Sequence, residues 1–371
     1  MINGRRRLRF VYVTQDDLSR NSGYAFRVDR LRKAIEAAGH TVEVIGFSEA
    51  EPRIACTARR TRSRLQRLWP LFQGLVRPAD CVIVTSIGAP YNGLYALVMR
   101  LLGRRVVYDC HDPVVEGVPR IYKLGILTKP VMRYIAWSEH LLGRLAVATL
   151  AAGPLQAREL SERDPGRRVF LIYNTGNGHA KPVSPRGIRQ KLGWTESTIV
   201  VYAGGAQPAV RGIESQIEAV RAARGIGGDV VMLAVVFGNS GFVETLGAAL
   251  IREGALRIWN NLPREELLAA LEECDVAVSS EPWRYGMQSK MFDYIRSGVR
   301  IIAVDDDRDI VRTFGSLVQT YDGTIQELAR LLADRPARLS PEERRRGLEL
   351  VASLDRTSEA NFAQALATIE E

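Results

Sequence analysis

The stretch Glu281-Pro-Trp-Arg-Tyr-Gly-Met-Gln-Ser-Lys-Met-Phe-Asp-Tyr-Ile-Arg-Ser-Gly298 carries the most specific chemical signal in the sequence. It sets a glycine-containing loop between the apolar run Val276 to Ser279 and a helical pattern that ends at Gly298, with the strand pattern Arg300 to Val304 beyond. A helix opening near Gln288 or Ser289 would aim its first backbone N–H groups and positive dipole end past the strand ends. That arrangement suits a diphosphate, and Lys290 would add a point charge. The plainer alternative is an ordinary strand-loop-helix turn with a surface lysine. His111 and Asp112 follow another strand pattern, Arg105 to Asp109. A histidine there can hydrogen-bond a hydroxyl or exchange a proton near neutral pH, or it can simply cap the strand. Cys110-His111-Asp112 is no nucleophilic triad, because successive residues of an extended segment point in opposite directions. Asp305-Asp-Asp307 follows a strand, where clustered aspartates act as turn and cap residues, and no metal is expected.

Elements must hold these groups in place. The 371 residues, 46% hydrophobic and 25% charged, exclude a lone small module and a mainly disordered chain, and make two domains the expectation. The longest apolar run, Val230 to Phe237, is far short of the ~20 residues that cross a bilayer. The basic start, Arg5 to Arg9, lacks the long apolar stretch of a secretory signal, so a cytoplasmic location is expected. Cys56, Cys81, Cys110 and Cys274 show no paired spacing and are expected as reduced thiols.

Strand patterns at Leu8 to Val13, Thr41 to Phe47, Cys81 to Thr85, Arg105 to Asp109, Val147 to Ala151 and Val169 to Ile172 alternate with helical stretches. This is the grammar of a parallel sheet covered on both faces. Two prolines in 179–189 mark a linker, after which the alternation resumes from Ile199 to Val304. The expected fold is α/β, with two doubly wound Rossmann-like domains facing across a cleft. The first is placed at 1–178, the second at 190–355, and a C-terminal helix at 356–371, with helical stretches at Pro341 to Leu354 and Ser358 to Glu370. Ligands of such sheets bind outside the carboxyl ends of the strands.

Read in order, these segments resemble nucleotide-sugar glycosyltransferases of the two-Rossmann-domain (GT-B) type, most closely family 4 and its relatives. Ser22-Gly23 looks like the family's first glycine loop, Gly39-His-Thr-Val-Glu-Val44 like its second strand, and Tyr108-Asp-Cys-His-Asp112 like its "H-D" step. Tyr173-Asn-Thr-Gly176 and Ala203-Gly-Gly-Ala-Gln-Pro-Ala-Val-Arg-Gly212 resemble the pre-linker "NG" and the phosphate loop. Two features depart from the pattern. Counting back from Gly298, Asp293 takes the place of the second of the family's paired glutamates and Tyr285 that of the first, which is therefore missing. Ala206 stands where the phosphate loop has arginine, while Arg211 matches its lysine.

The resemblance implies a hexosyltransferase acting with retention, without cofactor or metal. It implies that Gly23, Gly205, Arg211 and the run Tyr285, Gly286, Met287, Gln288, Ser289 and Lys290 meet the donor. The base and ribose would lie near Gly238, Asn261 and Leu262, with Asp293 by ribose or sugar hydroxyls, and with His111 and Asp112 beside the reacting centre. Two rivals share the architecture: a non-hydrolysing sugar-nucleotide epimerase and a degenerate homologue that only binds.

Charge adds a partner. Residues 1–180 hold 28 Lys+Arg against 15 Asp+Glu, whereas residues 181–371 hold 23 against 27. The segment Arg59 to Arg77 sets Leu65, Leu68, Trp69, Phe72 and Leu75 at helical spacing beside Arg60, Arg62, Arg64 and Arg67. Such a basic amphipathic pattern fits an anionic membrane surface, or else a domain helix with solvated arginines. A peripheral location at the inner membrane face, with a glycan, lipid-linked or small-molecule acceptor, follows as an expectation. No nucleic-acid recognition motif is present.

Overall fold

The computed structural model describes residues 7–19, 23–48, 52, 54–60, 68–85, 89–111, 125–175, 187–208, 212–280, 287–306 and 308–371. They divide into two compact units, one taking in Met1–Asn174, Tyr285–Met287 and Leu354–Glu371, the other Thr175–Arg284 with Gln288–Ser353.

The first unit is built on parallel strands β1 (Arg9–Asp17), β2 (Thr41–Ser48), β3 (Thr57–Arg60), β4 (Cys81–Thr85), β5 (Arg105–Cys110), β6 (Ala148–Ala151) and β7 (Val169–Leu171), in the order β3-β2-β1-β4-β5-β6-β7. The chain winds outward from β1 to one edge, returns beside it at β4, and winds out to the other. That reversal is the doubly wound topology, with its crevice at the carboxyl ends of β1 and β4. Alternation along β1 feeds two cores: Phe10 and Tyr12 enter one with Leu31 and Ile35 of the helix Gly23–Ala37, while Val11 and Val13 enter the other with Val82 and Val84. Phe362, Leu366 and Ile369 complete the first of these cores. His40 Nε2 lies 3.0 Å from a Glu370 carboxylate oxygen, and Ser358 Oγ accepts from Tyr173 N at 3.0 Å.

The second unit repeats the plan with β8 (Thr198–Gly204), β9 (Val230–Val236), β10 (Leu256–Asn260), β11 (Val276–Ser279), β12 (Arg300–Val304) and β13 (Val318–Tyr321), in the order β10-β9-β8-β11-β12-β13. All pairings are parallel, and every residue of β9 is buried, as expected of a strand covered on both faces. The switch point lies between β8 and β11.

Three details correct the sequence reading. The basic segment 59–77 is not one helix: Thr57–Arg60 forms β3, and among the described residues of the segment the helix is Trp69–Val76, with Pro70 in its first turn. Proline is accepted there because the first N–H groups have no helical partner. The side chains of Arg60, Arg62, Arg64 and Arg67 lie outside the described residues. The C-terminal stretches are one unbroken helix, Pro341–Glu370. Strands β3 (Thr-Ala-Arg-Arg) and β13 (Val-Gln-Thr-Tyr) were not expected, because neither holds the apolar run that marks the other strands. All four cysteines are free, and no described helix is long and apolar enough to cross a membrane.

Candidate functional site

The second unit gathers most of the expected residues at one edge of its sheet. At the carboxyl end of β8 the chain turns through Gly204-Gly205, and Phe237 N donates to Gly204 O at 3.0 Å, tying β9 to it. Gly238 N donates to Asn261 Oδ1 at 3.0 Å, and Asn261 N donates to Val236 O at 2.9 Å, tying in β10. Asn261 holds this position at a φ of 52°, a left-handed conformation that asparagine tolerates better than most residues. The structure therefore brings Gly205, Gly238 and Asn261 together, with Leu262 next to Asn261, around the ends of three adjacent strands.

Helix Ser289–Arg296 opens beside them, with Gln288 extended at its N-cap and no side chain capping it. Tyr294 Oη accepts from Ala203 N at 3.0 Å, which fixes the helix against β8. Lys290 Nζ sits 4.7 Å above the Tyr202 ring, and a Cβ built at Gly204 would lie 3.8 Å from that ammonium. Tyr202 Oη in turn donates to Gly205 O. A lysine at a helix start, beside a glycine turn with little side-chain bulk, presents a cation and N–H dipoles to an anion. Met287 is buried and is assigned to the first unit. Tyr285, Gly286, Arg211 and Asp112 lie outside the described residues. Gly23 belongs to the first unit, where it opens the helix Gly23–Ala37.

Asp293 is buried on the same helix, and both its oxygens accept from Arg264, at 2.9 and 2.6 Å, with Arg296 at 3.6 Å. Burial pushes its pKa above the ordinary value against the pull of the two arginines. Arg264 follows Asn261-Leu262-Pro263 directly, so the pair clamps the exit of β10 to the Lys290 helix. Nothing local in the sequence joins positions 29 apart. Arg308 was also missed: its buried side chain reaches Ser279 O at 3.4 Å at the end of β11 and pairs with Asp306. Asp306 is thus a partner of arginine, and among the described residues no group of three acidic, His or Cys side chains could hold a metal.

The phosphate-loop region closes at Gly212, with a φ of 66°, where an added Cβ would stand 2.5 Å from Ser280 O. Ser280 Oγ donates to Gly212 O at 2.7 Å, and Gln216 Nε2 donates to Val278 O at 3.0 Å. Gly212→Ala should therefore lower stability by at least about 1 kcal/mol, both from the left-handed backbone and from the backbone clash. A melting curve unchanged by that substitution would show that the loop gives way freely.

In the first unit, His111 follows β5 and is buried, its ring centroid 4.3 Å from that of Tyr24, whose Oη lies 2.8 Å from Thr14 Oγ1. Its neighbours in sequence point apart. Cys110 enters the core and is contacted by Gln156 Nε2 at 3.3 Å, and burial pushes its thiol pKa up, which suits a core thiol and not a nucleophile. Asp109 faces the other way, fully buried, accepting from Arg27 Nε at 2.9 Å and from Tyr12 Oη. Burial would raise its pKa, but Arg27, His111 and the hydrogen bonds together hold it below the ordinary carboxylate value. Arg27 also donates to Ile172 O at 2.6 Å and Asn174 Oδ1 at 2.9 Å. This network was not legible as a site, because its members are scattered over positions 12 to 174.

Residues 22–175 match the family described as Glycosyl transferase 4-like domain. Sucrose-phosphate synthase from Thermosynechococcus elongatus is structurally similar over 98% of this chain and 100% of its own, with a TM-score of 0.70 at 16% identity. HepE from Anabaena, in complex with UDP-glucose, is similar over 97% of this chain and 100% of its own, with a TM-score of 0.68 at 15% identity. Trehalose-6-phosphate synthase from Burkholderia multivorans aligns over 98% of both chains, with a TM-score of 0.58 at 12% identity. No curated protein matches the sequence. Likeness at these identities establishes the fold, which is GT-B.

Proposed function

We propose that this chain transfers a hexosyl group from a nucleotide diphosphate sugar, bound by the second unit, to an acceptor bound by the first. The observation that carries the reading is the cation of Lys290 at the start of helix Ser289–Arg296, beside the Gly204-Gly205 turn and the β8 switch point. The glycosyltransferase domain match over residues 22–175 and the GT-B fold support sugar transfer. That the similar Anabaena structures hold UDP-glucose and UDP supports a nucleotide-sugar donor.

In this reading Lys290, the N–H groups at Ser289 and the matching cation Arg211 take the diphosphate, and the base and ribose lie along Gly238, Asn261 and Leu262. Charge on the departing diphosphate is met by that fixed dipole and cation, which cost no rearrangement as the bond breaks. Asp293 acts through Arg264, holding the β10 exit against the helix. His111 and Asp112 serve the reacting centre, retention of the anomer follows the family 4 resemblance, and the acceptor is a glycan, a lipid-linked sugar or a natural product met at the inner membrane face.

A panel of nucleotide sugars read by thermal stabilisation, followed by nucleoside diphosphate release with and without acceptor, tests the proposal. Release that needs acceptor supports transfer. Conversion of the donor alone would identify an epimerase, and stabilisation by no nucleotide would leave a binding protein. Replacing His111 by Ala should lower turnover on the order of 10²-fold, a proton-transfer or hydroxyl-orienting loss. UDP affinity should stay within about twofold in isothermal titration, since the phosphate-binding groups belong to another element. Unchanged turnover would remove His111 from the reaction.

A further inference from the structure

Three helices of the first unit, Trp69–Val76, Ala89–Leu101 and Thr128–Leu145, bury Leu71, Tyr95, Met99 and Leu142 in the same core with Val82, Val106 and Tyr108. Sharing one core puts all three on one side of the first sheet. Ala89–Leu101 and Thr128–Leu145 cross closely, Gly93 N donating to Ser138 Oγ at 3.0 Å, where any Cβ on Gly93 would strike the Ser138 backbone.

Their other sides are apolar and open. Phe72 is 60% exposed, Leu94 44%, Leu101 78%, Tyr134 39% and Trp137 47%, and Ile126, in the turn Gly125–Leu127 that leads into the third helix, is 94% exposed. Leu94 and Trp137 are each one residue from the crossing point. Tyr134 and Trp137 stack with ring centroids 5.7 Å apart. A run of this kind exceeds the isolated apolar residues normal on a surface. The charges are equally one-sided. Arg100, Lys129, Arg133 and Arg144 are exposed, whereas the three helices contain a single carboxylate, Glu139, which is turned inward to accept from Tyr108 Oη at 2.9 Å.

We propose that this face is where the first unit seats on an anionic bilayer, its leucines and aromatic rings at the acyl boundary and its arginines and lysine among the headgroups. The inference deepens the peripheral-membrane part of the function proposed above, rests on that part alone, and names the residues that carry it. Aromatic side chains with a polar edge favour this depth, long basic side chains reach from it to phosphate, and the lack of exposed carboxylates on these helices selects an anionic surface.

Flotation of the full chain with phosphatidylcholine vesicles, with and without 30% phosphatidylglycerol, tests it. Binding should require phosphatidylglycerol and fall with salt. The Leu101→Gln/Trp137→Gln variant should lose on the order of 10-fold of the bound fraction, with its thermal midpoint unchanged because both sites are exposed. Arg100→Gln/Lys129→Gln/Arg133→Gln should lose the phosphatidylglycerol dependence. Brominated lipid should quench tryptophan emission in the wild type and much less in Trp137→Phe. If the wild type floats and both multiple variants float equally, the face is wrong while membrane association stands. If the wild type stays unbound even at low salt, membrane association itself falls and the donor reading is untouched. A solution dimer dissolved by Leu101→Gln/Trp137→Gln would overturn the proposal in favour of a contact between copies.

Discussion

Lys290→Ala is expected to weaken nucleoside diphosphate binding about 10- to 150-fold while barely changing nucleoside binding. A charge-assisted contact to phosphate contributes roughly 1.5–3 kcal/mol, and each 1.4 kcal/mol is a factor of ten. The placement explains why the loss should be specific. The ammonium rests over the Tyr202 ring and beside Gly204, whereas the strand ends assigned to base and ribose are organised by the bonds from Gly238 N to Asn261 Oδ1 at 3.0 Å and from Asn261 N to Val236 O at 2.9 Å. Isothermal titration with UDP and uridine, on wild type, Lys290→Ala and Lys290→Arg, separates the two. The arginine variant should retain part of the affinity, because it keeps charge but not the compact shape that fits beside the glycine turn. An equal loss for UDP and uridine would show that Lys290 supports the fold of the loop and does not meet phosphate.

The helix behind this prediction was legible in the sequence because its signals are local. An apolar strand, a loop, amphipathic spacing and Gly298, which adopts a φ of 74°, all fall within 30 residues. The doubly wound plan was legible for the same reason, since each strand-helix unit announces itself. What lay hidden depends on distance along the chain. Arg264 meets Asp293 from 29 positions away and Arg27 meets Asp109 from 82, and in a sequence with 45 arginines nothing marks the paired ones. Regular structure without a strong pattern was also missed. Between Leu354 and Ser358 the C-terminal helix runs through Asp355-Arg-Thr, polar residues that gave no apolar signal, yet Ser358 Oγ donates to Leu354 O at 2.8 Å across that stretch. Within Arg59 to Arg77 the helical spacing holds over Trp69–Val76, while Arg59 and Arg60 belong to the strand that pairs with β2.

Arg27→Met should be the most damaging single substitution in the first unit, costing about 3–5 kcal/mol, because it leaves a buried carboxylate without its counter-charge. The side chains of Arg27 and Asp109 are 2% and 0% exposed and 2.7 Å apart, so solvent screens them little. The pH dependence identifies the cause. In the wild type the folded pKa of Asp109 lies below its unfolded value, so its stabilising contribution is present above the unfolded carboxylate pKa, about 3.9, and is lost as pH falls through the folded value. Without Arg27, burial dominates and the folded pKa rises above the unfolded one. The variant then loses stability as pH rises through the unfolded pKa and recovers it as the carboxyl takes up a proton. Urea unfolding at pH 7 and pH 4.5 should therefore show a wide gap between wild type and Arg27→Met at pH 7 that narrows at pH 4.5, provided both remain folded there. Arg27→Met/Asp109→Asn should recover part of the loss at pH 7, since no charge is left buried, although the bonds from Arg27 to Ile172 O and Asn174 are still missing. A gap that stays constant with pH would assign the damage to those lost bonds and packing, and would remove the ion pair as the element that holds β5 and His111 in place.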